Sequence, residues 1–352
     1  MAGRWLALGA LLLCTAECFA PATRHAAARR PRQPRSTLSP PEADEARADA
    51  AREAAVAAAL APHADGVARA LAASPRAVCV VDGVLGDAAC RAMRAEAEAI
   101  RRAGRLEDCA SSGDVRATQV CRGDPGLSEL CPRLTAYTLA LARALGAAVN
   151  ARAPAARLRA DGAHTNKLAV CERDGAAYAK HVDNNDHGGA LRGDARKLTA
   201  LYYCNPDWCP EYGGEFRAFD AGAAGVVWLG TSAGGTASPP ASGDGGATTT
   251  IAPVGDRLVV FWSDELVHDV LPARVSATAR GGGSVAAAEQ RRHRWALTVW
   301  FVTTDPMNVR PLDPLVEARH FGSLASARED VREAGAGVAV GKFIASVMAK
   351  FM

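Results

Sequence analysis

The chain has 352 residues, 49% of them hydrophobic, which suffices for one large domain or two small ones, and a formal net charge of +3. That charge is unevenly placed: residues 1–35 carry six arginines (Arg4, Arg24, Arg29, Arg30, Arg32 and Arg35) against Glu17 alone, so the segment is +5 and the remainder −2. Setting the segment aside leaves no basic field for nucleic acid, which is excluded as an expected partner.

The N-terminus reads as a targeting sequence. Arg4 precedes an apolar run over residues 5–14, followed by small residues and Phe19-Ala20-Pro21. The run is shorter than the ~20 apolar residues a bilayer span needs, and it fits the apolar core of a secretory signal peptide. No stable membrane span is therefore expected in the mature chain. Residues 22–35 are rich in Arg and Ala and lack an acid, as transit peptides do. The tandem resembles the bipartite presequences of algae with complex plastids. Entry into the secretory pathway is expected, with a complex plastid as the candidate onward destination. Of ten cysteines, Cys14 and Cys18 fall in this leader. The other eight form no C-x-x-C pair, which argues against a structural zinc cage and leaves disulfides and buried thiols equally open.

In chain order, residues 1–41 form a disordered presequence ended by Pro40-Pro41, and residues 42–76 an Ala-rich helical segment interrupted at Pro62. Residues 77–81 read as a strand, and Asp87 as the cap of a helix reaching about Ala103. A second helix is expected to follow Pro125 and stop at Gly146. From about Arg157 the texture changes to short strands: 166–171, 178–182, 198–204, 214–219, 257–262, 267–271 and 294–303. Two low-complexity stretches, 230–250 and 275–290, read as surface loops. Helical signals resume near Leu324 and over residues 338–351. The expected fold is mostly β with flanking helices, a sandwich or jelly roll over residues 77–305 with a helical extension over 306–352.

His181 and Asp183 lie two apart on an expected strand, so their side chains point to one face, about 7 Å apart at the backbone. A neutral imidazole and a carboxylate, joined by a distant second His, make the facial triad used for ferrous oxygenases, which leaves three coordination positions open. One His-x-acid pair carries little by itself: 8 His and 38 acids predict roughly one by chance. A second copy, His63-Ala64-Asp65, falls in the Ala-rich helix, where i and i+2 do not face each other. The context supplies the rest. The apolar strand Asp256-Arg-Leu-Val-Val-Phe-Trp262 leads to His268, the expected third ligand. In Arg294-Trp-Ala-Leu-Thr-Val-Trp-Phe301, Arg294, Ala296, Thr298 and Trp300 share one face. An arginine on so apolar a strand needs a buried anionic partner, which a dicarboxylate would supply.

With these motifs the chain resembles the prolyl 4-hydroxylase family, and most closely the oxygen-sensing (hypoxia-inducible factor) prolyl hydroxylases, from about Val78 to Phe301. The matching stretches are Cys79-Val-Val-Asp-Gly-Val-Leu-Gly86, Tyr178-Ala-Lys-His-Val-Asp-Asn184, Leu201-Tyr-Tyr-Cys-Asn205 with Asp207-Trp208, Gly213-Gly-Glu-Phe-Arg217, Asp256 to Asp264, and Arg294 to Trp300. The resemblance implies a double-stranded β-helix (jelly roll) core and an Fe(2+)- and 2-oxoglutarate-dependent dioxygenase. It would use O2 to hydroxylate proline in a peptide or protein, releasing succinate and CO2, with L-ascorbate as reductant. His181, Asp183 and His268 would ligate iron, and Arg294, helped by Tyr203 and Thr298, would hold the distal carboxylate of 2-oxoglutarate. Arg116 and Arg196 match substrate contacts, with residues 109–125 as a lid. The chain departs from the family at Cys171, where a Tyr is usual ten residues before the first His. It departs again at Glu172-Arg173-Asp174-Gly175, which lacks a Pro-Gly turn, and at Thr118 and Arg122 in the lid. These departures leave two alternatives: the same iron chemistry on another residue or a small molecule, or an inactive jelly-roll binding module.

Overall fold

The computed structural model describes residues 40–109, 114–121, 124–184, 194–221, 225–229, 248–276 and 285–322. By internal contacts the chain divides into residues 1–48 and 49–352, and every strand lies in the second unit. Helix α1 (Pro40–Ala73) precedes strand β1 (Val78–Asp82), helix α2 (Asp87–Arg102), strands β2 (Glu107–Asp108) and β3 (Val115–Thr118), the one-turn α3 (Pro125–Ser128) and helix α4 (Pro132–Arg152). There follow β4 (His164–Cys171), β5 (Tyr178–His181), β6 (Arg196–Tyr203), β7 (Phe216–Phe219), β8 (Val226–Leu229), β9 (Thr248–Ile251), β10 (Arg257–Trp262) and β11 (Val267–Val270). Helix α5 (Val285–Arg292), β12 (Arg294–Val302) and α6 (Pro314–Phe321) complete the described chain.

The strands make an eight-stranded sheet, in order β2-β3-β4-β12-β6-β10-β1-β8, and a four-stranded sheet, β5-β11-β7-β9. Neighbours are antiparallel except β1 and β8. This is the expected mostly-β architecture with a jelly-roll core and flanking helices. Strand periodicity explains how the larger sheet is buried on both faces. Along β1 and β10, Val78, Val80, Val259 and Phe261 join Phe216 and Ile251 of the small sheet in one core. Their neighbours Cys79, Val81, Leu258, Val260 and Trp262 turn the other way, against Leu71, Met93, Ile100, Leu134 and Leu141 of the helices. Strands buried on both faces read as continuous apolar runs, as β10 does.

Several boundaries differ from the sequence expectation. Helix α1 continues through Pro62. Gly86 with φ 89° is the cap of α2, while Asp87 sits inside the first turn, where it meets the positive helix end and bonds Arg91. Helix α4 runs past Gly146, which packs near Phe301; Asn150 near its end holds Leu158 through both amide groups. The expected loop 230–250 ends in β9, and the expected loop 275–290 carries most of α5, where Val285-Ala-Ala-Ala-Glu-Gln-Arg-Arg292 has high helix propensity. The expected lid at 109–125 is partly sheet, since β3 pairs with β4 from Val115↔Cys171 to Thr118↔Leu168. Pro40 and Pro41, expected to close a disordered presequence, open helix α1 instead; residues 1–39, the lid residue Arg122 and the expected helices near Leu324 and over 338–351 lie outside the described residues.

Two buried carboxylates tie helix α2 to the sheet. Asp256 accepts from the amides of Leu85 and Gly86 (2.8 and 2.7 Å), at the N-terminus of α2, and from the Tyr202 hydroxyl (2.8 Å). Glu98, in the body of α2, accepts from Trp295 Nε1 (2.8 Å) and Arg101 (2.9 Å), with His293 Nδ1 at 3.3 Å. It thereby fixes both neighbours of Arg294. Burial works to raise the Glu98 carboxyl, but the donors from His293, Arg101 and Trp295 overcome it and hold the group at about 2 against an ordinary 4.5. That gap corresponds to roughly 3 kcal/mol, present above pH 4.5 and lost as pH falls toward 2. Glu98→Gln should therefore lower unfolding free energy at pH 7 by that order, and the deficit should shrink as denaturant melts are repeated toward pH 3. A deficit independent of pH would contradict the assignment.

Candidate metal centre

Strands β5 and β11 pair with His181 directly opposite His268, which brings the imidazole centroids to 4.3 Å. Each Nδ1 faces a backbone carbonyl two residues earlier: Ala179 O at 2.7 Å for His181 and Leu266 O at 3.1 Å for His268. With a proton on Nδ1 donated there, each Nε2 presents a lone pair, the arrangement a metal-ligating histidine needs. Both Nε2 atoms converge on Asp183 Oδ1, at 3.5 and 3.8 Å. The three residues offer ligand atoms that all lie within 4.8 Å of one another. The other Asp183 oxygen is satisfied, accepting from Thr199 Oγ1 (2.7 Å) and Trp300 Nε1 (3.1 Å). One oxygen is thus held by the protein while the other faces the two imidazoles.

The electrostatics suit a cation. Burial pushes His268, packed against Phe216 and Phe261, down to about 4 with help from neighbouring His181. For His181 burial works the same way, but the hydrogen-bonded Asp183 carboxylate reverses it. Burial would raise Asp183, yet its bond to His181 and the charges of both histidines hold it well below the usual carboxylate range. Two nitrogens and one carboxylate oxygen on one side of a pocket fit Fe(II) with open positions opposite. His63-Ala64-Asp65 gathers no such set: Asp65 pairs with Arg69 and with Arg152.

The expected strand parity of β12 holds. Arg294, Ala296, Thr298 and Trp300 line the pocket with the three candidate ligands, while Trp295, Leu297, Val299 and Phe301 pack toward the helices. Arg294 is 4% exposed, and Nε donates to Gly214 O at 2.7 Å. Gly214 is obligatory for this path: its φ is +75°, and a Cβ there would stand 2.7 Å from Arg294 Cδ. Tyr203 lies beside Arg294, whose guanidinium carbon is 5.2 Å from the ring centroid. Among the described residues the buried Tyr203 hydroxyl has no hydrogen-bond partner, and neither has that of Tyr178. A buried cation and orphaned buried hydroxyls are costly without a polar partner, and a carboxylate entering beside them would satisfy both. Cys171, the register partner of Arg294, is buried in a small cluster with Val115, Ala169, Ala176, Ala273 and Val275.

The expected substrate residues are placed differently. Arg196 lies over the Trp300 ring at 5.2 Å, but its guanidinium is gripped by Asp194 at 2.6–3.0 Å. Arg116 turns to Leu106 O (2.7 Å) and to Glu172 (3.3 Å), outside the pocket lining. Sequence reasoning missed Thr199 and the Trp300 indole as holders of Asp183, Gly214 and Glu98 as supports of Arg294, and Lys167 in the pocket wall. Strand parity offered the signal for Thr199, two residues before Leu201 and four before Tyr203 on the same face.

Comparison with known proteins agrees with this geometry. Residues 166–302, from within β4 to the last residue of β12, match the model of the 2OG-Fe(II) oxygenase superfamily. The match covers well under half of the chain, the part that carries His181, Asp183, His268 and Arg294. The chain is 26% identical over 240 residues to mouse Egl nine homolog 1, covering 65% of this chain and 47% of that protein. It is 30% identical over 137 residues to the Caenorhabditis elegans hypoxia-inducible factor prolyl hydroxylase, covering 38% and 13% respectively. The chain spans about half the length of the first of these and of its rat counterpart. Among solved structures, a Pseudomonas putida prolyl-4-hydroxylase matches 69% of this chain and 100% of its own at 25% identity and a TM-score of 0.47.

Two variants test the centre without touching its periphery. Asp183→Ala should abolish stoichiometric Fe(II) binding, whereas Thr199→Val, which removes one hydrogen bond to the same carboxylate, should weaken it roughly 10–100-fold. Iron titration of the two proteins beside the wild type checks this. Undiminished binding in Asp183→Ala would end the assignment.

Proposed function

We propose that this chain, carrying a 2OG-Fe(II) oxygenase domain over residues 166–302, hydroxylates proline in a peptide or protein substrate. The observation that carries the reading is one pocket lined by His181, Asp183 and His268 together with the buried Arg294 and Thr298, with Tyr203 beside Arg294. The choice of proline rests on the prolyl hydroxylases among its relatives.

In this reading His181, Asp183 and His268 hold Fe(II), and Arg294, Tyr203 and Thr298 bind the distal carboxylate of 2-oxoglutarate. Together, iron and co-substrate supply oxidative decarboxylation: substrate C–H, O2 and 2-oxoglutarate give substrate C–OH, succinate and CO2. The chain's own work is positioning. Thr199 and Trp300 keep Asp183 from rotating, so its free oxygen stays aimed between the imidazoles. Arg294 offers a planar, permanently charged fork suited to a carboxylate, at a depth where water competes little. Phe216, Phe261, Val270 and Ala296 wall the site with apolar surface. Arg196 stands at the rim over Trp300 and meets the peptide backbone; Arg116 supports the edge strands.

L-ascorbate belongs to this reading as the reductant that keeps iron ferrous, and dependence of sustained turnover on it is its test. The leader over residues 1–41 supports entry into the secretory pathway, with passage to a complex plastid. No helix among the described residues is long and apolar enough to cross a membrane.

The test is succinate release from 2-oxoglutarate with a panel of proline-containing peptides and their alanine counterparts. Release that rises with proline peptides, together with a mass gain of one oxygen on the peptide, is expected. Gly214→Ala, which displaces Arg294, should raise the 2-oxoglutarate concentration needed by orders of magnitude, since loss of a charge-assisted contact at a buried cation costs about 2–5 kcal/mol. Turnover stimulated equally by the alanine peptides, or only by small molecules, would replace the proline reading with the same chemistry on another substrate. No 2-oxoglutarate consumption under any condition would leave a binding module.

A further inference from the structure

The pocket contains a second basic group that none of the foregoing uses. Lys167, on β4 opposite Thr298 of β12, shares the inward face with Ala169 and Cys171. Its ammonium lies 4.8 Å from the centroid of the Tyr178 ring and 5.6 Å from that of Trp300. Among the described residues no ion pair or hydrogen bond engages it. The other charged groups facing this space are spoken for. Asp183 is bound to Thr199 and Trp300 and faces the two histidines, Arg196 is held by Asp194, and Arg116 is turned away to Glu172.

Depth separates the two available cations. Arg294 is buried beside Tyr203, and four residues of strand separate its level on β12 from the level of Lys167, about 13 Å along the backbone. Lys167 is half-buried and stands by His181, the more exposed of the two candidate histidine ligands at 39% of its side chain. It therefore belongs to the side from which a substrate enters. Two aromatic faces flank it, one of them the indole that also steadies Asp183. An ammonium partly stripped of water between two rings gains from them a cation–π contribution and still lacks a counter-charge.

We propose that Lys167 reads a carboxylate on the primary substrate close to the carbon that is hydroxylated: in a peptide, an aspartate or glutamate adjoining the target proline. The inference rests on the hydroxylase reading above and adds a substrate class to it. Lys167 is a specificity residue here, with Tyr178 and Trp300 forming the flat walls between which the target ring and its acidic neighbour are seated.

The test uses the full chain, as wild type, Lys167→Met and Lys167→Glu, with three proline peptides that differ only in carrying Glu, Gln or Lys beside the proline. Two quantities are read: KM from succinate release, and Kd from polarisation of the labelled peptide under argon with Mn(II) and 2-oxoglutarate present. The wild type should favour the Glu peptide over the Lys peptide by about fivefold or more in both, as a partly exposed ion pair of ~1 kcal/mol gives. Lys167→Met should flatten the order and Lys167→Glu should invert it. The same order in all three proteins would overturn the inference while leaving the hydroxylase intact. A rise in the 2-oxoglutarate Kd of both variants with the peptide order unchanged would overturn it too, by assigning Lys167 to the co-substrate. A wild type that neither consumes 2-oxoglutarate nor binds any of the peptides would remove the hydroxylase reading itself.

Discussion

The site depends on one constraint: a buried carboxylate whose two oxygens have different fates. Asp183 lies past the end of β5, where the amide of Asn184 donates to Ser263 O and the Asn184 side chain to Arg196 O, so the segment cannot drift from the sheet. Thr199 and Trp300 take one oxygen, and each comes from a central strand of the larger sheet. What remains is a single open oxygen among two Nε2 atoms, both presented by β5 and β11 of the smaller sheet. The two sheets must therefore pack in register for the donor set to exist at all. The apolar cluster between them, with Phe216 and Phe261 both packed against His268, sets that register.

The same logic places the arginine. Arg294 begins β12, and a strand end would ordinarily fray. Here its neighbours His293 and Trp295 are both bonded to Glu98 of α2, and Asn205 receives the Trp295 amide. Gly214 then lets the side chain pass close to the backbone and accepts its Nε. A helix outside the sheets thus fixes the depth of a charge inside them. Lys167 has no comparable scaffold; it rests only on two rings, as suits a residue meant to meet a partner.

The parts of this arrangement legible in sequence are those governed by strand parity and by motif order. His181 with Asp183, and Arg294 with Thr298 and Trp300, could be assigned to faces because period two leaves no freedom once a strand is granted. The spacing of the short apolar runs narrowed the architecture to a sandwich or jelly roll, and the motif order chose the jelly roll. What could not be read depends on register between distant strands or on local compensation. Thr199 reaches Asp183 only because β6 is paired as it is with β10 and β12. Asp194 pairs with Arg196 from two residues away, and Glu172 with Arg116, pairings that the sequence alone does not reveal. Pro62 and Gly146, both read as helix stops, are accommodated by packing that propensity does not see.

The central claim, that these residues make one Fe(II) and 2-oxoglutarate site, is tested most directly by adding the two in turn to the purified chain without oxygen. The account predicts uptake of one Fe(II) per chain, followed by a visible charge-transfer absorption that appears only when 2-oxoglutarate is added and saturates with it. A chain that takes up iron but develops no such absorption, or that takes up no iron, would contradict it.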